Sequence, residues 1–277
     1  MSSSKLTIVL TCLGNFQEYI LDCIHNLTVH GNDSIVVITE LEFFPKFSGC
    51  TLIDVSTLSD EFNFNEKSKL DKNFRGGFWH LASARFFVLY SYLKTFGVNR
   101  CLHIENDVLI YGKATDIPWN TSQMAGAYDS PTRMIPSVVW IPTPDSLRNI
   151  LTNYDYGKND MENFGTASIE HLPIFPDHLS LGSNPYGREF QTITEHYPRY
   201  GWVFDAAAMG QFLGGVDPRN AAGDTRGFVN ETCIIKYNHY GFEWKNGRPF
   251  LKVAGRLFPI FNLHIHSKNL RAFKTVK

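Results

Sequence analysis

Cysteines are few in this sequence, and neither sign of charge is in surplus. The five cysteines are widely spread and never form a CxxC pair, which argues against a disulfide framework or a cysteine zinc site and favours a reducing compartment. The 26 Lys and Arg residues nearly match the 27 Asp and Glu residues, so the formal net charge is −1. Because the chain has no overall positive field, we expect no nucleic-acid or anionic-membrane partner, and an anionic ligand must be held by local residues.

Long apolar runs and nucleotide-loop motifs are also absent. The apolar run near the N-terminus is short and is followed at once by polar residues, so we interpret it as a buried strand and expect a cytoplasmic protein without a transmembrane segment. Neither GxxxxGK[ST] nor a GxGxxG after the first strand occurs, which argues against a P-loop ATPase and a dinucleotide oxidoreductase.

What is present is the pattern of an α/β protein. β-branched runs alternate with helix-period segments in the first half, which is typical of a mostly parallel sheet covered by helices, while prolines break the second half into short strands and loops. The predicted strands cover residues 6–10, 34–39, 51–55, 100–104, 123–128, 137–141, 233–236 and 258–263. The predicted helices cover residues 16–29, 78–96 and 204–213. We therefore expect a single α/β domain over residues 1–277, with a mixed sheet flanked by helices.

An acidic motif follows one of these predicted strands. In the segment CLHIENDVLIYG, residues 101–112, the apolar run ends in Glu105, Asn106 and Asp107. Open α/β sheets bind ligands at the carboxyl ends of their strands, and carboxylates placed there can share a hard divalent cation. Two solvated acids in a turn are the alternative interpretation.

A second group of polar residues lies near the end of the sequence. His264 and His266 have the spacing that places both imidazoles on one face of a strand, and Lys268 follows two residues later. An imidazole suits Mn²⁺ or a similar ion, and a lysine beside it is a point charge for phosphate. The alternative is a pair of histidines that pack or bond locally.

Together these motifs resemble the nucleotide-sugar-dependent glycosyltransferases of the GT-A fold, in which a DxD or ExD motif and, in several families, a C-terminal histidine bind a metal. Glu105 and Asp107 match the acidic motif, although Glu replaces its first Asp, and His264 or His266 would complete the metal shell. The resemblance implies Mn²⁺ or Mg²⁺, a UDP-sugar or GDP-sugar donor, and a glycan, glycolipid or glycoprotein acceptor.

The resemblance also assigns residues on the donor side, in a nucleotide-sugar half that covers residues 1–112. The donor-contacting residues that it implies are Thr11, Leu13, Asn15, Arg75, Arg85, Glu105, Asn106 and Lys268. Arg75 and Arg85 belong to FRGGFWHLASARFFVLY, residues 74–90, which is similar to the donor-side segment of such enzymes.

An acceptor-binding half would cover residues 113–277. Its segment GWVFDAAAMGQFLGG, residues 201–215, is similar to an acceptor-side helix, and it makes Asp205 the candidate base or acceptor-orienting carboxylate. Helix capping alone is the alternative for Asp205. Tyr200 and Trp202 are the preferred acceptor-stacking rings, ahead of Trp79, Tyr186 and Tyr197. Residues 182–201 are predicted to form a loop that covers the substrate.

Three other classes of protein remain as alternatives. A metal-dependent hydrolase could use the same ligands to activate water, although no HExxH motif supports it. A nucleotidyltransferase would need a glycine-rich basic loop after the first strand, where the sequence has TCLGNF instead. A carbohydrate-binding protein without catalysis would also fit aromatic residues and a metal.

Overall fold

The computed structural model describes residues 5–177 and 191–275 of the chain. The strands are β1 (Thr7–Cys12), β2 (Ile35–Thr39), β3 (Thr51–Asp54), β4 (Cys101–Ile104), β5 (Val108–Ile110), β6 (Ala125–Ser130), β7 (Arg133–Ile141), β8 (Glu170–Leu172), β9 (Gly241–Lys245), β10 (Arg248–Val253), β11 (Arg256–Pro259) and β12 (Asn262–His264). The α-helices are α1 (Ile20–Val29), α2 (Phe64–Lys67), α3 (Phe78–Thr95), α4 (Pro144–Thr152), α5 (Asp160–Gly165), α6 (Tyr197–Tyr200) and α7 (Met209–Gly214).

The main sheet is mixed and has seven strands in the order β3-β2-β1-β4-β7-β6-β8. Strands β1 to β4 are parallel, whereas β7 runs antiparallel to both β4 and β6. The buried apolar residues form one continuous cluster, so the described chain has a single core. This topology confirms the predicted α/β fold class, a mixed sheet flanked by helices in one domain.

The first half folds as its local pattern predicts. The runs of β1 and β2 are almost entirely buried, as expected for strands that have helices on both faces of a parallel sheet. Helix α3 begins directly after Gly77, whose φ of +80° is a left-handed conformation that glycine adopts without steric cost. These elements fix the carboxyl ends of β1 and β4 at one edge of the sheet.

A small antiparallel ladder joins β5 to β12 and brings two distant parts of the chain together. Val108 pairs with His264, and Ile110 pairs with Asn262. The N–H of Ile265 also donates to the carbonyl of Asp107 at 2.9 Å. The ladder therefore sets the C-terminal histidine segment beside the acidic motif that follows β4.

Two predictions for the second half are wrong in detail. Residues 233–236 form bends and irregular backbone instead of a strand, because Asn230 and neighbouring backbone carbonyls hold this segment in local hydrogen bonds. The helix predicted for residues 204–213 begins only at Met209, after a segment in which Ala207 has a φ of +58°. The predicted loop 182–201 lies partly outside the described residues, and its described end contains α6.

Within the described ranges, no helix combines the length and the apolarity that a membrane crossing requires.

Candidate functional site

Three side chains meet at the carboxyl edge of β4. Nε2 of His264 lies 3.1 Å from Oδ1 of Asp107 and 3.2 Å from Oε2 of Glu105. Potential ligand atoms of these three residues lie within 4.8 Å of one another. Asp107 and His264 are buried, and Glu105 is half-buried. The β5–β12 ladder thus completes a compact acidic and imidazole cluster.

Electrostatics keep this cluster charged. Burial alone would raise the pKa of Asp107, but the charges of His264 and Lys268 hold it well below its usual range. Burial alone would lower the pKa of His264, but Asp107 and Glu105 raise it. The amino group of Lys268 contacts Oδ2 of Asp107. The cluster is therefore an arrangement of anions that already attracts positive groups.

The donor atoms suit a divalent metal ion. Two carboxylates provide the oxygen ligands that Mn²⁺ and Mg²⁺ prefer, and an imidazole nitrogen is a common third ligand for Mn²⁺. The three residues line an open cavity, so a cation held by them would be accessible from it. Glu105, Asp107 and His264 thus fit the cation that the sequence resemblance implies.

His266 lies beside the cluster without joining it. Its ring centroid is 4.3 Å from that of His264, and its Nδ1 is 3.1 Å from Nε2 of Gln211. Burial, followed by the charge of His264, lowers the pKa of His266 to about 3. Of the two histidines that the sequence singled out, the structure groups His264 with the carboxylates and His266 with Gln211.

The cluster opens into a cavity of about 810 Å³. Its volume is within the range of small-molecule sites. The cavity is lined by every residue assigned to the donor or the metal in the sequence, namely Thr11, Leu13, Asn15, Arg75, Arg85, Glu105, Asn106, Asp107, His264, His266 and Lys268. The structure therefore places the acidic motif, the C-terminal histidine segment and the predicted donor-contacting residues around one cavity.

Asn106 joins the acidic motif to the loop after β1. Its Nδ2 donates to the carbonyl of Thr11 at 2.8 Å and to Oε1 of Gln17 at 2.5 Å. These bonds hold the loop that begins at Thr11 against the end of β4. Asn106 thus has a structural role at the cavity wall, in addition to the predicted contact with the donor.

Arg85 is less free than the sequence suggests. Its guanidinium contacts Oε1 of Glu105, and its Nη2 donates to Oδ2 of Asp160 at 2.8 Å and to the carbonyl of Pro136 at 3.1 Å. The side chain is 8% exposed. The guanidinium of Arg85 is therefore occupied mainly by its ion pairs, and less of it is available for the predicted contact with the donor. Arg75, by contrast, is exposed at the cavity.

Asp205 does not have the position that a catalytic base requires. It is fully buried and is not among the residues that line the cavity. Oδ1 accepts from the N–H groups of Ala208 and Met209, and Oδ2 accepts from those of Gly210 and His264, at 2.8–2.9 Å. Burial raises its pKa, while the backbone hydrogen bonds from His264, Ala208 and Gly210 act in the opposite direction. The predicted roles as base and acceptor ligand do not fit, because both oxygens are enclosed by backbone donors.

The preferred stacking rings also lie outside the cavity lining, Tyr200 being buried and Trp202 half-buried. Tyr200 is 3% exposed and donates its hydroxyl proton to Glu170, and Trp202 packs against Phe261 at 5.8 Å between ring centroids. Neither ring is positioned to contact an acceptor in the cavity, so these two assignments are corrected. Of the other candidates, Trp79 lines the cavity, Tyr197 packs against Phe258, and Tyr186 lies outside the described residues.

The structure adds cavity residues that sequence reasoning missed. Asp160 holds Arg85 from the start of α5, and Arg219 forms a bidentate pair with Asp217 at the cavity wall. Gln17 and Tyr19 complete the wall near the loop after β1. The Asn159-to-Glu162 capping box signals a helix start beside Asp160, but no local signal places these residues at the site.

Comparisons with known proteins give likeness at the level of the fold. No protein-family model and no curated protein sequence matches the chain. Among solved structures, an active-site variant of LgtC is 13% identical with a TM-score of 0.41, over 68% of this chain and 84% of LgtC. The apo form of the glycosyltransferase GlyE from Streptococcus pneumoniae is 16% identical with a TM-score of 0.35, over 55% of this chain and 37% of GlyE.

A nucleotidyltransferase also has a similar fold. A cytidylyltransferase from Leptospira borgpetersenii is 10% identical with a TM-score of 0.35, over 55% of this chain and 66% of that protein.

Proposed function

We propose that the chain is a metal-dependent glycosyltransferase. It would move a hexosyl or pentosyl group from a nucleoside-diphosphate sugar, with UDP favoured over GDP, to a hydroxyl group of a glycan, glycolipid or glycoprotein. The observation that carries this proposal is the Glu105, Asp107 and His264 cluster, which faces a cavity of about 810 Å³ with Lys268 beside it.

Each part of the cavity wall has a role in this proposal. A divalent cation held by Glu105, Asp107 and His264 would supply positive charge where the leaving diphosphate becomes more negative. Lys268 would bind a phosphate oxygen as a point charge. Thr11, Leu13, Asn15, Arg75 and Asn106 would contact the nucleoside or its phosphates from the side of β1.

The two halves of the chain would divide the substrates. We propose that residues 1–112 hold most of the donor and that residues 113–277 supply the acceptor side, including the wall at Asp217 and Arg219, in place of Tyr200, Trp202 and Asp205. We further propose the cytosol as its compartment, since all five cysteines are free thiols.

A thermal-shift experiment tests the donor site. Wild-type protein is heated with UDP, GDP, CDP or dTDP, each with and without Mn²⁺. A ligand that binds only the folded state adds about 2.7 kcal/mol of stability at 100 times its Kd. We expect one nucleotide, UDP first, to raise Tm only when Mn²⁺ is present. In Asp107→Asn this metal-dependent shift should disappear, whereas Asp224→Asn, in an exposed ion pair, should keep it.

Turnover then separates the transferase from its alternatives. Release of UDP from UDP-glucose or UDP-galactose, stimulated by Mn²⁺ and by added saccharide acceptors, is the expected result. Binding without turnover would indicate an inactive transferase. Absence of any nucleotide shift would contradict the proposal and favour a metal-dependent hydrolase or a carbohydrate-binding protein.

A further inference from the structure

The residues around Asp205 form a junction behind the metal-type cluster. The carboxylate of Asp205 binds three consecutive N–H groups at the start of α7 and, through Oδ2, the N–H of His264 at 2.9 Å. The same carboxylate therefore holds the first turn of a helix and the backbone of a cluster residue. Its two oxygens connect segments that are far apart in the sequence.

Further contacts fix the same two segments together. The side chain of Asn262 accepts from the N–H of Asp205 at 3.1 Å and donates to the carbonyl of Asp205 at 3.2 Å. Gly210 lies so close to β12 that an added Cβ would be 2.0 Å from the carbonyl oxygen of His264. The backbone of His264 is thus enclosed by Asp205, by Gly210 and by its ladder partner Val108.

The chemistry of the junction requires a carboxylate. Four N–H groups converge on two oxygens, and only a side chain without hydrogens of its own accepts all four. An asparagine in this place would turn an NH₂ group towards backbone donors, leaving at least one buried N–H unpaired. Burying a charged group is costly unless it is hydrogen-bonded, and the four bonds offset that cost.

We propose that Asp205 is a positioning residue for His264: by holding its backbone N–H, it sets the direction in which the imidazole meets Glu105 and Asp107. This inference rests on the proposed function only in requiring that the cluster binds a divalent cation. Partners that orient metal ligands typically change metal affinity by 10 to 100-fold when they are removed. Asp205 acts on His264 through the main chain and does not contact the substrate.

Mn²⁺ affinity measured by calorimetry, without nucleotide, tests this role. We expect Asp205→Asn to weaken Mn²⁺ binding by about 10 to 100-fold. The matched control is Asn32→Asp, which exchanges amide and carboxylate at another buried side chain whose partners are backbone groups of residues 27, 112 and 114. This control should lose stability but keep Mn²⁺ affinity within about twofold of wild type. Equal Mn²⁺ affinity of Asp205→Asn and wild type would overturn the inference.

Hydrogen exchange of the wild-type protein provides a test that needs no variant. Saturating Mg²⁺ should slow amide exchange at His264 and, because one carboxylate holds them all, at Ala208, Met209 and Gly210 as well. Ala114, which is bonded to Asn32, serves as the internal reference. If Mg²⁺ protects His264 but leaves the three helix amides unchanged, Asp205 does not couple them and the inference is wrong.

The two proposals fail in different ways. If wild type binds Mn²⁺ but no nucleoside diphosphate, the transferase proposal fails and the role of Asp205 is still decided by the affinity of Asp205→Asn. If wild type binds nucleotide with Mn²⁺ and Asp205→Asn does so equally well, only the positioning role is lost. If wild type binds no divalent cation, both are overturned.

Discussion

At the scale of single residues, Arg85 neutralises two carboxylates at the wall of the cavity. Its guanidinium lies between Glu105 and Asp160, and Asp160 is almost fully buried. A buried carboxylate without its partner is strongly destabilising, because the remaining charge stays out of water. Arg85 therefore determines both the stability of this region and the placement of Glu105.

We expect Arg85→Met to destabilise the protein by about 3–5 kcal/mol, since Asp160 would be left as an uncompensated buried charge. Urea denaturation measures this loss. Adding Asp160→Asn should restore part of it, because the unpaired charge is then removed. Arg226→Met, at an exposed pair with Asp224, is the control and should leave the midpoint unchanged. A stable Arg85→Met would show that the ion pairs contribute little.

At the scale of elements, the glycine at position 210 of helix α7 is explained by close contact with β12 and not by helix propensity. An alanine normally stabilises a helix interior by about 1 kcal/mol relative to glycine. At Gly210 an added Cβ would meet the carbonyl oxygen of His264 at 2.0 Å, whereas at Gly214 the nearest atom is the ring edge of Phe273 at 3.2 Å. The backbone cannot move as easily as the end of a side chain.

Gly210→Ala should therefore lower the stability of the protein and weaken its Mn²⁺ binding, while Gly214→Ala should leave both close to wild type. Thermal denaturation and calorimetry check the two effects. If Gly210→Ala were as stable as Gly214→Ala and bound Mn²⁺ normally, the close approach of α7 to β12 would not be important for the site.

The buried histidine of β4 makes the sheet sensitive to acid. Burial, followed by the charge of Arg85, lowers the pKa of His103 to about 3 from its ordinary 6.5, and its Nδ1 is 3.0 Å from the carbonyl oxygen of Val9. Between these two values the unfolded chain binds one proton more than the folded chain, so stability falls as the pH is lowered.

In the wild-type protein, the free energy of unfolding should fall between pH 6 and pH 4. The contribution of His103 to this fall should be at most about 1.4 kcal/mol per pH unit. The free energy of unfolding, measured in urea at several pH values, should fall less steeply in His103→Asn. The exposed His239 offers a control, as His239→Asn should keep the wild-type slope. Equal slopes in all three proteins would contradict the expectation.

These elements also show where sequence reasoning succeeds and where it stops. The runs that became β1, β2 and β4 are apolar and β-branched, so their strands follow from local pattern, and strand ends placed Glu105 and Asp107 correctly at the cavity. The enclosure of Asp205 could not be foreseen, because one of its four bonds comes from the backbone of residue 264. Every residue except proline has the same backbone N–H, so the sequence does not show which of these groups will bind a given side chain.

At the scale of the whole molecule, the C-terminal segment closes the structure onto helix α1. Oγ1 of Thr275 lies 2.9 Å from Nε2 of His30, and the N–H of Thr275 donates to Oδ1 of Asn26 at 3.0 Å. Lys274 pairs with Asp22 at 2.5 Å, and the carbonyl of Phe273 accepts from the hydroxyl of Tyr111 at 2.9 Å. The C-terminal segment is thus held against α1 and Tyr111 by polar contacts.

Removal of residues 271–277 should destabilise the protein by about 3 kcal/mol, since a typical buried hydrogen bond contributes about 1 kcal/mol and at least three are lost. The urea midpoint reports the change. Glu243→Gln, in an exposed ion pair with Lys252, is the control and should have little effect. An unchanged midpoint after the deletion would mean that α1 is held by the remaining contacts alone.

The ladder between β5 and β12 has a consequence for biosynthesis. The ribosome completes Glu105 and Asp107 well before His264, by roughly 8 to 30 s at 5–20 residues per second. During that interval the nascent chain carries the two carboxylates without the imidazole that lies between them in the folded protein. A prematurely terminated chain that lacks β12 would therefore not assemble the three-residue cluster.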